Sequence, residues 1–366
     1  MKSIGSYEHR VASHCETGSM RNLLVHDGLA ITEPMVFGLG SGPAFYYLFF
    51  SRSHTGFPLV GIRNRPGSII KNVAGLLGVD MFGKRLGSPA EAMREADRLI
   101  DEGRPVIACV DMFYMKYLPQ FLQVHAPFHF IILVGHDETS YAVSDPYFDC
   151  PGVLRRSDLE VAWDTHAKMS QDNFLAYARR VPREVDWRRA VIAGMKRTIK
   201  GMLPPRPVRR LLKFVGVEGM RMYARKSLEW PRRYDGHWLR EGILWNAVAF
   251  EDQGTGGAAF RLMYGAFLQE ASAILGSSEI EGLATKMVEH GQAWRYCSRR
   301  LIQIGKQVPM RDRDFPAWIE ENRARLDEGL REFHDLFMER AAFEERFWSD
   351  LEAAVGRLGK GHGSRR

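Results

Sequence analysis

Cysteine is scarce in this sequence. The 366 residues include only Cys15, Cys109, Cys150 and Cys297, and no two of them have the spacing of a disulfide framework or a zinc site. This scarcity excludes a small disulfide-stabilised scaffold and a cysteine-rich metal domain. We expect neither a bound metal nor a cofactor, so any cysteine chemistry has to come from a single thiol.

Long apolar runs are absent as well. The longest, Ala44–Phe50, is far shorter than the roughly 18 residues that a membrane-spanning helix needs. The N-terminus is polar and lacks the apolar segment of a signal peptide. There are no internal repeats, and a composition of 45% hydrophobic and 26% charged residues is typical of globular proteins. We therefore expect a soluble, cytoplasmic protein.

The first half of the chain predicts an α+β fold. Helices are predicted at Glu16–His26, at 66–77 and from the capping box at Ser88 to the C-cap glycine Gly103. A further helix is predicted at 157–165. Strands are predicted at 59–63, 105–111, 129–135, 141–145 and 174–181. The strands 129–135 and 141–145 are joined by a short polar turn and should form an antiparallel hairpin.

The second half predicts helices alone. Strand patterns stop near residue 187, and apolar residues then recur at helical spacing in the segments 236–252, 258–276, 278–304 and 315–358. A chain of this length exceeds the size of one ordinary core. We predict a first domain at residues 1–182, with an antiparallel sheet, and an all-helical second domain at residues 183–366.

Cys15 stands where the first predicted helix begins. Backbone N–H groups and the helix dipole favour an anion at this position, so a thiol there is more readily ionised and a better nucleophile. The alternative is a buried structural cysteine. The polar neighbours His14 and Glu16 argue against a dry core, and we interpret Cys15 as a candidate nucleophile.

His129 and Asp145 are the candidates for the base and the residue that orients it. His129 opens one strand of the predicted hairpin and Asp145 ends the next, so both should meet at the same end of the hairpin. A nucleophile, a base and an orienting carboxylate would then be complete. The rival His136 is at the other end of the strand, ~23 Å away. His14 and His125 are weaker rivals.

Several motifs together resemble the butirosin-biosynthesis acyltransferase family over nearly the whole chain. The motifs are Ser13–Ser19, Thr32–Gly42, Phe128–Gly135 with Asp145-Pro146, and Gly254–Arg261 with Tyr264 and Phe267. The strand histidine followed by Asp-Pro also resembles the bacteriocin-processing cysteine peptidases, which have a papain-like fold. The resemblance implies a papain-like cysteine-enzyme domain followed by the helical domain.

This resemblance also implies an activity. It implies the transfer of an acyl group from an acyl-carrier-protein thioester to the amine of a small natural product, as in antibiotic biosynthesis, through an acyl-enzyme on Cys15. Two alternatives stay open: a cysteine hydrolase, peptidase or amidase that uses the same residues, and a papain-like binding module without catalysis. Product analysis with and without an amine separates the acyltransferase from the hydrolase.

The sequence departs from the peptidase pattern at the oxyanion hole, because no glutamine precedes Cys15 in the segment 6–14. The N–H groups of the glycine-rich segment Gly38, Gly40, Ser41 and Gly42 could replace it, although the segment lacks the lysine of a P-loop. For Glu33, two interpretations stay open: it lies in the site, holding a substrate ammonium or supporting the glycine turn, or it is a structural carboxylate that caps a loop.

Positive charge is concentrated in one segment. Residues 183–233 contain fifteen Lys and Arg residues and four acidic ones, a net charge of +11, whereas the whole chain has +7. Such a segment favours an anionic partner, and carrier proteins are usually acidic. We predict that Arg209, Arg210 and Lys213 dock the carrier; the alternative is a solvated helix face. Nucleic acid is not expected, because aromatic residues are few and no binding motif is present.

Overall fold

The computed structural model describes residues 1–52, 56–167, 170–252 and 254–360. The chain divides into two compact units. The first unit combines Met1–Gly40 with Arg65–Trp187, and the second combines Ser41–Asn64 with the chain from Arg188 onward. The sequence analysis predicted one boundary near residue 182. In the structure, residues 41–64 belong to the second unit although they precede that boundary.

The first unit is built on an antiparallel sheet with seven strands in the described residues. The strands are β1 (Lys2–Ser3), β4 (Asp80–Arg85), β5 (Val106–Val110), β6 (His129–His136), β7 (Ser140–Ser144), β8 (Gly152–Arg155) and β9 (Phe174–Arg180). Their order in the sheet is β4–β9–β5–β6–β7–β8, and β1 pairs with the C-terminal end of β6. The central strands β5 and β6 are almost entirely buried, as their continuous apolar sequences require.

Five helices of the described residues surround this sheet: α1 (Cys15–His26), α2 (Glu33–Leu39), α3 (Ser68–Leu77), α4 (Pro89–Asp101) and α5 (Arg156–Trp163). The capping box is present at α4, where the Ser88 hydroxyl accepts from the N–H of Glu91 at 3.2 Å. Apolar residues of α4 and α5 share a core with β5 and β6. Helix α1 packs against β5, β6 and β9.

The second unit contains the hairpin of β2 (Pro43–Arg52) and β3 (Pro58–Arg63) together with the C-terminal helices. The hairpin joins the helices because its apolar residues are buried among them: the Tyr47 N–H donates to the Phe214 carbonyl at 2.9 Å, and Phe57 packs against Trp230. The helices are α6 (Trp187–Met202), α7 (Arg206–Leu211), α8 (Gly216–Ser227), α9 (Trp230–Arg233), α10 (Gly236–Glu251), α11 (Arg261–Leu275), α12 (Ser278–Gln307) and α13 (Phe315–Lys360).

The predicted α+β class is thereby confirmed: an antiparallel sheet in the N-terminal part is followed by a helical C-terminal part. The predicted hairpin is β6 and β7, which pair antiparallel with Ile132 opposite Ser144. None of the helices in the described part of the chain combines the length and apolar character needed to cross a membrane.

Candidate active site

Cys15 is the first residue of α1 and is partly exposed. His14 caps this helix: its ring Nδ1 accepts from the Thr17 N–H at 3.4 Å. The thiol therefore stands at a helix N-terminus, where a negative charge is favoured. This is the local environment that the sequence predicted for Cys15.

Glu33 holds the loop in front of Cys15. Its carboxylate accepts from the backbone N–H groups of Ser13 at 2.9 Å and His14 at 2.8 Å, and from the Thr17 hydroxyl at 2.8 Å. Three donors fix the side chain against the start of α1. Of the two interpretations of Glu33, these contacts favour the structural carboxylate that caps a loop.

His129 is the first residue of β6, and Asp145 follows the last residue of β7. The antiparallel hairpin brings the two side chains together, as the sequence predicted. The His129 Nε2 lies 2.7 Å from the Asp145 Oδ2, and the carboxylate can only accept, so Nε2 donates. His129 is 5% exposed and Asp145 is 1% exposed, so solvent screens this pair only weakly.

The Cys15 side chain lies beside His129, and its hydrogen bonding and its charge are among the causes that raise the pKa of the imidazole. Because Asp145 occupies Nε2, the ring nitrogen left to face Cys15 is Nδ1. Burial alone lowers the pKa of an imidazole, but the charge of Asp145 and the hydrogen bonding of the ring with Asp145 and Cys15 outweigh it and raise the pKa of His129 to about 10. At neutral pH His129 is therefore an imidazolium, which can act as a proton donor beside Cys15.

Close packing joins the start of α1 to the segment that carries Asp145. Gly18 lies one turn after Cys15, and a Cβ atom at this position would come within 2.5 Å of the Ala12 Cβ and 2.7 Å of the Pro146 Cβ. The Ala12 N–H donates to the Pro146 carbonyl at 2.7 Å. The glycine is therefore required for space, and it allows the nucleophile's helix to approach the Asp-Pro segment.

Tyr117 is a member of the site that the sequence analysis missed. Its hydroxyl donates to the Asp145 Oδ2 at 2.9 Å, and the Tyr147 N–H donates to Oδ1 at 3.0 Å. Burial raises the pKa of a carboxyl, but His129 and these two donors outweigh it, so the pKa of Asp145 lies below its usual range. No local sequence pattern marks Tyr117, which lies in the connection between β5 and β6.

The rival histidines have other partners. His136 lies at the far end of β6, where its Nε2 is 3.2 Å from Asp101 and its Nδ1 is 3.2 Å from an Arg156 nitrogen. The exposed His125 is 2.9 Å from Asp111 and stacks on Phe113. His14 caps α1, as described above. Of the four histidines considered from sequence, only His129 contacts Asp145 among the described residues.

The turn expected from the sequence at residues 38–42 is shorter in the structure and comprises Gly40 and Ser41. Gly38 lies inside α2, and the Gly40 N–H caps the end of this helix by donating to the Val36 carbonyl at 2.9 Å. A Cβ at Gly40 would come within 2.5 Å of the Ile69 side chain, so this glycine serves helix packing. Ser41 and Gly42 belong to the second unit, where their carbonyls accept from Asn64.

The C-terminal motif Gly254–Arg261 leads into a buried ion pair. Arg261 donates to both carboxylate oxygens of Glu344, at 2.9 and 3.1 Å, and the indole N–H groups of Trp294 and Trp348 donate to the same carboxylate at 3.0 and 3.2 Å. Arg261 and Glu344 are at most 1% exposed. Every oxygen of the carboxylate is satisfied, and the motif therefore belongs to the core of the helical unit.

The residues predicted to dock a carrier line a basic groove around a cavity of about 370 Å³. Its lining residues are Arg206, Arg209, Arg210, Lys213 and Arg225 together with one acidic residue, Glu218. Arg209 is paired with Glu345 at 3.0 Å. Arg210 and Lys213 are exposed and make no ion pair with any residue that the structure describes. Two of the three predicted docking residues thus keep free positive charges.

Among the described residues, potential metal ligands form one cluster, and none of its members belongs to the candidate triad. Ligand atoms of Asp164, His166 and Asp172 lie within 4.8 Å of one another. Arg85 already neutralises Asp172, with a nitrogen at 3.2 Å from its carboxylate. This arrangement is explained as a surface ion-pair cluster.

Comparisons with known proteins agree with the motifs. The family model for the N-terminal part of butirosin biosynthesis protein H matches residues 14–146, and a domain of unknown function (DUF4872) matches residues 157–336. No curated protein sequence matches the chain. Among solved structures, a C39-like peptidase from Bacillus anthracis is similar at 15% identity and a TM-score of 0.35, over 50% of this chain and 100% of that chain. Residues 14–146 are thus similar to the N-terminal domain of butirosin biosynthesis protein H.

Proposed function

We propose that this protein is a cysteine-dependent acyltransferase that moves an acyl group from an acyl-carrier-protein thioester to an amine of a small-molecule acceptor. The observation that carries the proposal is the continuous chain of contacts from Asp145 through His129 to Cys15 at a helix N-terminus. This is the arrangement of a nucleophile, a base and an orienting carboxylate. The match to the butirosin biosynthesis family contains all three residues.

The first step forms an acyl-enzyme. The Cys15 thiolate attacks the carbonyl carbon of the thioester, and the bond between this carbon and the carrier sulfur breaks. The His129 imidazolium gives its Nδ1 proton to the leaving carrier thiolate. A thioester replaces a thioester, so little free energy is lost before the amide forms.

The second step forms the amide. The acceptor amine attacks the acyl carbon, neutral His129 takes a proton from the amine nitrogen, and the Cys15 thiolate leaves. His129 is then an imidazolium and Cys15 a thiolate, as at the start. Asp145 remains ionised throughout and holds the imidazole, as the orienting carboxylate does in other triads.

The basic groove supports a carrier protein as the donor. Acyl carrier proteins are usually acidic, and Arg210 and Lys213 offer unpaired charges on the surface of the second unit. The exposed Leu211, at 81% exposure, adds an apolar contact on the same helix. Complementary charges of this kind raise association rates and select partners.

Cys15→Ala tests the proposal. With an acyl thioester of N-acetylcysteamine as donor and hydroxylamine as acceptor, we expect the wild type to accumulate an acylated form by mass spectrometry and to release a hydroxamate. Cys15→Ala should lose at least about a thousandfold in turnover. The matched control is Cys150→Ser, because Cys150 is an exposed free cysteine outside the candidate triad.

The other outcomes decide between the alternatives. Full turnover by Cys15→Ala would exclude the thiol mechanism. Release of free acid at the same rate with and without the amine would identify a hydrolase. If Cys15 in the Cys150→Ser background were neither acylated nor alkylated by iodoacetamide near neutral pH, the domain would be a binding module.

A further inference from the structure

Tyr117 contributes a hydrogen bond to the candidate triad in addition to side-chain packing. Its hydroxyl donates to the oxygen of Asp145 that also accepts from His129, at 2.9 Å and 2.7 Å respectively. The Tyr147 N–H takes the other oxygen at 3.0 Å. The plane of the carboxylate is therefore fixed by three donors, and two of them converge on the oxygen that holds the imidazole.

The fold makes room for this tyrosine. A Cβ atom on Gly152 of β8 would lie 2.8 Å from the Tyr117 Cγ and about as close to two further ring atoms. Gly152 pairs with Val143 in β7, the strand that leads to Asp145. The ring of Tyr117 thus occupies the space of a missing side chain, next to the strand end that it supports.

We propose that Tyr117 is a positioning residue of the active site: its hydroxyl holds the Asp145 carboxylate so that the His129 ring presents Nδ1 to Cys15. The inference rests on the proposed function, since it assigns Tyr117 a role in that reaction. The hydroxyl of Tyr117 contacts Asp145, and Tyr117 acts through this carboxylate.

The hydroxyl also affects proton transfer. A neutral donor on Oδ2 draws charge away from the oxygen that faces His129 and weakens the pull of Asp145 on the imidazolium. Without this donor, Asp145 holds the positive charge of His129 more strongly, and the Nδ1 proton is given less readily to the leaving thiolate. Removal of the hydroxyl should thus slow the reaction and raise the pH at which His129 loses its proton.

Tyr117→Phe tests this in the full-length chain, with Tyr114→Phe as the matched control. Tyr114 lies in the same connection, and its hydroxyl makes no hydrogen bond to Asp145. Two quantities are measured: turnover of the small thioester with hydroxylamine, and the titration of His129 by ¹⁵N-histidine NMR, assigned with His129→Gln. We expect Tyr117→Phe to lower kcat roughly ten- to a hundredfold with KM nearly unchanged. The His129 titration should move to higher pH, and Tyr114→Phe should change neither quantity.

A second variant, Gly152→Ala, retains the Tyr117 hydroxyl and every other functional side chain of the site. Its added methyl group pushes the Tyr117 ring away from Asp145, and we expect the same two changes from it. If Tyr117→Phe does not fold, as judged by circular dichroism, Gly152→Ala decides. Wild-type turnover, or reduced turnover with an unchanged His129 titration, would overturn the positioning role. The proposed acyl transfer fails separately, through turnover by Cys15→Ala, and the His129 titration does not depend on that result.

Discussion

His129 and Asp145 are both buried, and each changes the charge state of the other. The carboxylate raises the pKa of His129 to about 10, and the imidazolium, against the opposing effect of burial, lowers the pKa of Asp145. The ordinary pKa of a histidine in an unfolded chain is about 6.5. Between about pH 6.5 and about pH 10, His129 therefore carries a proton in the folded protein and has lost it in the unfolded protein.

This difference predicts a pH dependence of stability. A group with a raised folded-state pKa contributes its full stabilisation below the unfolded pKa and loses it as the pH rises through the folded pKa. We expect the free energy of unfolding to fall between pH 7 and pH 9, by at most about 1.4 kcal/mol per pH unit from this group. Urea unfolding at several pH values measures it.

His129→Gln is the variant that isolates this contribution, because it has no titrating imidazole. Its stability should fall less steeply with pH than that of the wild type, and His237→Gln, which removes an exposed histidine, should keep the wild-type slope. Equal slopes in the wild type and His129→Gln would show that His129 is not protonated in the folded protein at neutral pH.

Among single residues, sequence reasoning found those that a local pattern marks. Cys15 is marked by the helix that it opens, and His129 by being the one polar residue in the predicted apolar strand 129–135. Tyr117 and Gly152 have no such mark. Their meeting depends on a strand and a connection that are thirty-five residues apart, and only the packing around Asp145 shows why one is a tyrosine and the other a glycine.

At the scale of elements, the contact between α1 and the Asp-Pro segment depends on one glycine. Gly18→Ala would place a methyl group 2.5 Å from the Ala12 Cβ and 2.7 Å from the Pro146 Cβ. Overpacking of this kind typically costs about 1–3 kcal/mol. We expect Gly18→Ala to be less stable in urea and to slow the alkylation of Cys15 by iodoacetamide, because α1 shifts relative to His129.

Gly75→Ala is the matched control. Gly75 lies within α3, and nothing approaches within 4 Å of where its Cβ would be. Alanine is a better helix former than glycine by up to about 1 kcal/mol, so this variant should be slightly more stable and should react like the wild type. If Gly18→Ala matched Gly75→Ala in both measurements, close packing at Gly18 would not position the nucleophile.

The elements that sequence reasoning missed depend on partners far away in the chain. Strand β4 has few buried residues and forms only because it pairs with β9, with Lys84 opposite Leu175. The short edge strand β8 pairs with β7. The hairpin of β2 and β3 was assigned to the first domain by its place in the sequence. Its buried side chains pack against helices more than 150 residues later, such as α9, and local periodicity contains no information about this.

Charge is distributed unevenly over the whole molecule. The segment 183–233 has a net charge of +11, and the rest of the chain is slightly acidic. In the structure, part of this positive charge is neutralised: Arg221 pairs with Glu218 at 2.7 Å and with Glu345, and Lys226 pairs with Glu229 at 2.7 Å. Four of the exposed charges that remain, Arg206, Arg210, Lys213 and Arg225, lie together in the basic groove, and others such as Lys196, Arg197 and Lys200 are exposed along α6.

This distribution predicts which charges a carrier protein would meet. Reversal of two free charges, Arg210→Glu with Lys213→Glu, should raise the apparent KM for a carrier-bound acyl donor and leave the KM for the N-acetylcysteamine thioester unchanged. The effect should shrink as salt is added, because exposed charges are screened beyond about 8 Å at physiological ionic strength. The control Lys286→Glu with Arg331→Glu changes the net charge equally at exposed positions outside the groove. Equal effects of the two double variants, or equal effects on both donors, would show that the groove is a solvated surface.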